Sequence, residues 1–179
     1  MKRLVTLLVT ALLMTAALCV SASAADYQSA AEDLSAIGMF RGTVNGGFEL
    51  DRAPKRSEAA IMLVRLYGAE EEAAAAYQSG EISHPFKDVG PIASPYVAWL
   101  YTKGITKGAT ATTFNSNAAC TDKNYVVFLL RALGYEDGKD FQYADSLTFA
   151  EKLGFYQADY FEGPFLRDDL AAITLQALA

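Results

Sequence analysis

Apolar residues return at steps of three and four in three separate stretches of the chain. Ala60, Leu63, Val64 and Tyr67 form one set, Val126, Leu129, Leu130 and Leu133 a second, and Leu170, Ile173 and Ala177 a third. That period places each set on one face of an amphipathic helix. Ahead of each lies another helical stretch that stops on a glycine: "YQSAAEDLSAIG" at Gly38, "SPYVAWLYTKG" at Gly104 and "DSLTFAEKLG" at Gly154. Glycine suits the left-handed position just past a helix end. Within each pair a loop rich in Gly, Thr and Asn carries one aromatic expected to turn inward: Phe48, Phe114 or Phe165. "EEEAAAAYQSGE" predicts a short surface helix and a turn. Alternation at period two nowhere lasts long enough for a sheet, so the expected fold class is all-α.

The pattern is a repeat. Laid over one another without a gap, the stretches beginning at Leu34 and Leu100 match Gly38 with Gly104, Gly42 with Gly108, Phe48 with Phe114, Arg65 with Arg131 and Gly68 with Gly134, all at a shift of 66. A third copy, with a loop about five residues shorter, closes the chain, with Gly154 in the place of Gly38 and Arg167 in that of Arg56. One copy is too small to bury a core alone. Three helix-loop-helix units around a shared centre are therefore expected, over residues 25–80 (with a linker helix), 81–140 and 141–179.

The first residues stand outside this pattern. Lys2 and Arg3 precede an apolar run from Leu4 to Val20, followed by "SASAA" with Ala22 and Ala24 in cleavage-site spacing. Residues 1–24 read as a secretory signal peptide, which places the remainder outside the cytoplasm. A membrane anchor fits less well, because the run is short for a span and a cleavage site follows it. Without Lys2 and Arg3, 13 basic residues face 21 acidic ones, a net charge of −8. That balance disfavours nucleic acid and, once the signal is cleaved, membrane as partners. Cys120 is left without a partner cysteine and reads as a small buried hydrophobe. The chain stops inside the third copy's second helix, so an effector domain beyond Ala179 in a longer natural protein is one expectation.

The starts of the second helices differ: "PKRSE", "CTDKN" and "FLRDD". Lys55, Thr121 and Leu166 occupy the N-cap, and Glu58, Asn124 and Asp169 the third helical position, where a capping box sets its acid. Each copy holds half of that device. Arg56 and Arg167 fall at the first helical position, where a positive charge opposes the helix dipole. A solvated arginine is the plain alternative. A guanidinium beside free helix-start N–H groups would make an anion pocket. On this basis truncating Arg56 is expected to cost little stability.

These residues resemble the S-layer homology family. Phe86-Lys87-Asp88-Val89, Gly104-Ile105-Thr106-Lys107-Gly108, Thr113-Phe114-Asn115-Ser116 and the helix start Lys55-Arg56-Ser57-Glu58 stand in that family's order. The resemblance covers essentially all of the chain after the signal. It implies three helical lobes in pseudo-threefold arrangement, secretion to the cell surface of a bacterium, and noncovalent attachment to secondary cell-wall polysaccharide, an acidic glycan that often carries pyruvate ketals. Carried over, the binding residues are Arg56 and Arg167, then Arg41, Gly42, Lys107 and Gly108. Trp99, the single tryptophan, lies mid-helix and reads either as core or as a sugar contact. Asp122 replaces the arginine of the second copy, so that groove should be weak for an anion. The third copy lacks the Lys-Gly of the loop.

No catalytic residue, metal site or cofactor is expected. His84 reads as a linker residue. Asp88 and Asp145 read as caps of the leading helices of the second and third copies, rather than as a glycosidase pair. The alternative function is a degenerate structural or protein-binding module that kept the lobes and lost the sugar.

Overall fold

The computed structural model describes residues 27–43, 46–158 and 163–179. The expected signal peptide lies outside them. Seven α-helices fall among the described residues: α1 Tyr27–Ala36, α2 Arg56–Leu66, α3 Glu70–Ser79, α4 Ser94–Thr102, α5 Asp122–Ala132, α6 Ser146–Leu153 and α7 Arg167–Leu178. A short 3-10 turn, Tyr143–Asp145, leads into α6. No strand is present among these residues, only two isolated bridges, so the fold class is all-α. None of the described helices is long and apolar enough to cross a membrane.

The packing order follows from the apolar faces. α1 packs on α7, α4 on α2 and α6 on α5. Each leading helix thus leans on the trailing helix of another pair, and the first element is joined to the last. α5 also touches both α2 and α7. At that meeting point Tyr125 of α5 is fully buried. Its hydroxyl shares a hydrogen bond with Thr174 Oγ1 of α7 and lies 3.9 Å from Met62 Sδ of α2. A buried hydroxyl without a partner would cost more than it returns, so Thr174 fixes how α5 and α7 face each other. The loop aromatics turn inward: Phe114 is fully buried, Phe165 nearly so, and Phe48 packs half-buried on Phe40.

The helix starts confirm the half-built caps in atomic terms. In α2 the Glu58 carboxylate accepts from the Lys55 N–H at 2.8 Å, and a lysine side chain has no lone pair to return the bond. In α7 Asp169 accepts from the Leu166 N–H at 2.7 Å, again without reciprocity. In α5 Thr121 Oγ1 accepts from the Asn124 N–H at 3.2 Å.

Asp88 does not cap α4. Its carboxylate accepts from the N–H groups of Phe114, Asn115 and Ser116 at 2.7, 2.6 and 3.1 Å, tying the segment before α4 to the loop before α5. Three backbone donors in one loop hold its carboxylate there, and the N-cap of α4, Ala93, makes no side-chain capping bond. Asp145 does stand at the N-cap of α6, but its side chain makes no capping bond.

Gly108 closes the turn beneath that loop. It has φ +78°, and a Cβ there would lie 2.3 Å from Phe86 Cε1 and 2.7 Å from the Thr110 carbonyl oxygen. Gly104 has φ +74° with no atom near its missing Cβ. Gly104→Ala should therefore cost only the left-handed backbone penalty, about 1 kcal/mol. Gly108→Ala should cost well above that, about 2–4 kcal/mol, because strain and collision add. Urea unfolding of the two variants measures the difference, and equal losses would contradict it.

Asp169 makes a second test. Burial raises its pKa to about 6, with Asp168 and Asp122 adding to the rise and the Leu166 N–H opposing it. Because the folded value lies above the ordinary one, the group's ionisation weakens the fold as pH rises from about 4 to above 6. Asp169→Asn keeps the bond to Leu166 and removes the charge. At pH 7.5 it should stabilise the protein by about 1 kcal/mol after allowance for solvent screening. The gain should shrink towards zero near pH 4. A pH-independent difference would refute the assignment.

Candidate functional site

The loop of one pair receives the helix start of another through matched backbone bonds. The Arg56 N–H donates to the Ala118 carbonyl at 2.9 Å and the Ser57 N–H to Ser116 at 3.1 Å. The Arg167 N–H donates to Arg52 at 3.0 Å and the Asp168 N–H to Leu50 at 3.3 Å. Ala118 and Ser116 stand 66 residues after Arg52 and Leu50, so the two junctions are built alike. These bonds overturn one expectation. The first N–H groups of α2 and α7 are spent on loop carbonyls, so they are not free donors for an anion. Any anion affinity at these helix starts rests on side chains.

Beside each junction a cleft opens. The first, of about 430 Å³, is lined by Arg56, Gly108, Ala109, Asn115, Asn124, Arg131 and Tyr143 with neighbouring small and apolar residues. Arg56 is 8% exposed, which excludes the solvated alternative and goes against the expectation that its truncation costs little stability. Its guanidinium lies 4.9 Å from the centre of the Phe114 ring and 4.6 Å from that of Phe128. Its Nε has no hydrogen-bond partner. Burial pulls its pKa below the ordinary guanidinium value and Arg131 adds to this, yet the group stays charged. Packing on two rings means that truncation to alanine would remove buried contacts as well as charge.

The second cleft, of about 610 Å³, is lined by Arg167, Arg41, Gly42, Arg52, Glu49, Glu58 and residues of α2. Arg167 is 6% exposed and lies over the Phe40 ring at 4.8 Å. Unlike Arg56 it is committed. Its Nε donates to the Phe48 carbonyl at 2.8 Å, an Nη group reaches the Arg41 carbonyl at 3.5 Å, and the other pairs with Glu58 at 3.4 Å. Gly42 is held by close approach, since a Cβ would meet the Gly47 carbonyl oxygen at 2.8 Å.

At the third position Asp122 faces a smaller cleft of about 290 Å³ with Cys120, Tyr156 and Phe165. Tyr156 donates its hydroxyl to Asp122 at 2.7 Å. Cys120 is 1% exposed and burial pushes its thiol up to about 12, so it packs as a small hydrophobe.

Arg41 and Lys107 sit in matching ion clusters. Glu70 takes Arg41 at 2.7 Å and Arg65 at 3.1 Å, while Asp137 takes Lys107 at 3.0 Å and Arg131 at 2.8 Å. Burial alone would raise the Asp137 pKa, but Arg131 and Lys107 outweigh it and hold the carboxylate below its usual range. Lys107 is therefore beside the first cleft rather than part of its lining. Trp99 comes to neither cleft. It is 5% exposed on α4, packs against Tyr67 at 5.1 Å and donates Nε1–H to Glu72 at 3.0 Å. His84 stacks between Tyr77 and Phe86, and its Nδ1 accepts from the Phe86 N–H.

Four lining residues, Asn115, Asn124, Arg131 and Tyr143, were not candidates on sequence. The signal for Arg131 was present, because it aligns with Arg65, but aligned arginines also mark a repeat. Tyr143 precedes α6 and carried no pattern.

Comparison with known families matches residues 85–121 to the S-layer homology domain. No curated protein matches the chain. The matched segment runs from the Asp88 clamp through α4 and the loop that supplies Gly108 and Asn115 to the first cleft, and it covers about a fifth of the chain. Residues 85–121 are thus similar to the S-layer homology domain, a noncatalytic module generally associated with anchoring at the bacterial cell wall.

Proposed function

We propose that the chain is a cell-surface anchor that holds an acidic secondary cell-wall polysaccharide, of the kind bearing pyruvate ketals, in clefts between successive units. In this account residues 1–24 direct secretion. Residues 25–80, 81–140 and 141–179 are three S-layer homology units in pseudo-threefold arrangement. The pairing of α1 with α7, α4 with α2 and α6 with α5 supports that arrangement, as do the matched junctions at Arg56 and Arg167.

One observation carries the functional reading. The Arg56 guanidinium is buried at the wall of a cleft, its Nε is unpartnered among the described residues, and the described lining of that cleft holds no carboxylate. A desolvated cation without a counterion is costly unless something anionic arrives to pair with it. A ketal carboxylate fits a guanidinium bidentately. Gly108 lines the same cleft, and the half-exposed Tyr143 offers an aromatic face to a pyranose. Lys107 adds positive charge at the rim.

The alternative is a lobed module that no longer binds sugar. The acid at Asp122 and the internal pairing of Arg167 favour it for those two positions. Purified protein should co-sediment with cell-wall sacculi, and should stop doing so once the polysaccharide is chemically removed. Arg56→Met keeps most of the packed volume and removes the charge. It should weaken sacculus binding ten- to hundredfold, equivalent to about 1.5–3 kcal/mol for a charge-assisted contact. Its loss of stability should be about 1 kcal/mol, the cation–π share. Binding that survives removal of the polysaccharide would reject the sugar-binding account, and binding that Arg56→Met leaves intact would reject Arg56 as its carrier.

A further inference from the structure

We infer that each chain holds the acidic glycan at a single cleft, that of Arg56, and that Glu49 and Glu58 keep the otherwise equivalent Arg167 cleft closed to anions. The inference rests on the sugar-binding account above. The two clefts share their backbone: both helix starts donate their first two N–H groups to loop carbonyls related by the same shift. Asn115 and Glu49, the only non-glycine residues with positive φ among the described residues, at 62° and 48°, also correspond. The difference therefore lies in side chains.

Aligning the linings position by position isolates it. Arg131 corresponds to Arg65, Val127 to Ile61 and Gly108 to Gly42, all like for like. Asn115 corresponds to Glu49, Asn124 to Glu58 and Ala118 to Arg52. The first cleft thus has two neutral amides where the second has two carboxylates bridged by an arginine. Arg52 pairs with Glu49 at 2.6 Å and with Glu58 at 2.7 Å. Glu58 also reaches Arg167, so the second guanidinium already has its counterion.

Arg41 and Arg65 of the second cleft are paired with Glu70 and Lys55 stands in its lining, but a carboxylate that is to reach Arg167 must displace Glu58 and lie beside Glu49. One entering the first displaces nothing charged. Asn124 there accepts from the Tyr143 hydroxyl at 3.3 Å through Oδ1, which leaves its amide N–H₂ to donate to a ligand oxygen. The third cleft has no cation among its described lining residues and presents Asp122 instead. Specificity here is built by placing a repulsive element where the ligand must be refused.

The test is calorimetric titration of the purified chain with a synthetic, monovalent 4,6-pyruvate-ketal hexopyranoside. The expected stoichiometry is one, and Arg56→Met should weaken that site at least tenfold. The triple variant Glu49→Asn, Arg52→Ala, Glu58→Asn copies the first cleft's residues into the second and should raise the stoichiometry to two. A wild-type stoichiometry of two or more, or a site of undiminished affinity persisting in Arg56→Met, would overturn the single-cleft inference while leaving sugar binding standing. A folded triple variant that still binds once would show that Glu49 and Glu58 are not the barrier. Failure of the wild type to bind either the ketal sugar or intact sacculi would remove both proposals together.

Discussion

The structure depends on a backbone exchange. A helix start in one pair of helices donates its first N–H groups to carbonyls in the loop of another pair, at Arg56 to Ala118 and at Arg167 to Arg52. Unmet helix-start donors are costly when buried, and loop carbonyls at depth are equally so. Each group solves the other's problem, and neither solution exists within one pair. The exchange also fixes where the first side chain of the helix goes. An arginine at that position is carried into the seam between pairs, against the ring of a loop aromatic. An inter-unit cleft with a guanidinium in its wall follows from how the chain satisfies its own backbone.

That origin explains how clefts on one backbone plan carry different linings. The backbone junction sets position, while the lining sets charge. At Arg56 the lining is Asn, Ala and Asn around a guanidinium with a spare donor; at Arg167 it is Glu, Arg and Glu around one already engaged. The ion clusters behind each cleft, Arg65–Glu70–Arg41 and Arg131–Asp137–Lys107, each set one acid between two corresponding bases. They pin the loops without deciding what enters. Chemistry could thus diverge between the clefts while the frame stayed constant.

The helices and their ends were legible because period and capping are local. Apolar steps of three and four, a glycine after each leading helix and the half-caps at Lys55, Thr121 and Leu166 all carry their signal within a few residues. The site was legible only in part. Arg56 and Arg167 stood out because a cation at a helix start opposes the dipole. Their burial did not, since it depends on Phe114, Phe128 and Phe40 reaching them from other elements. The same distance in sequence misled the expectation for Asp88, which looked like a cap for the helix that follows it and instead clamps a loop 26 residues away. Trp99 attracted attention as a lone aromatic, yet Glu72 and Tyr67 take its polar and apolar surfaces.

The contact between α1 and α7 joins segments separated by most of the chain's length. Ordering such a distant pair costs loop entropy before it returns any packing energy, which makes this contact slow to form. Arg167 and Thr174 both lie on α7, so one cleft and the hydroxyl lock on Tyr125 stay incomplete until that helix docks. Without that docking the described helices form an open-ended assembly, and α7 is the clasp that closes it.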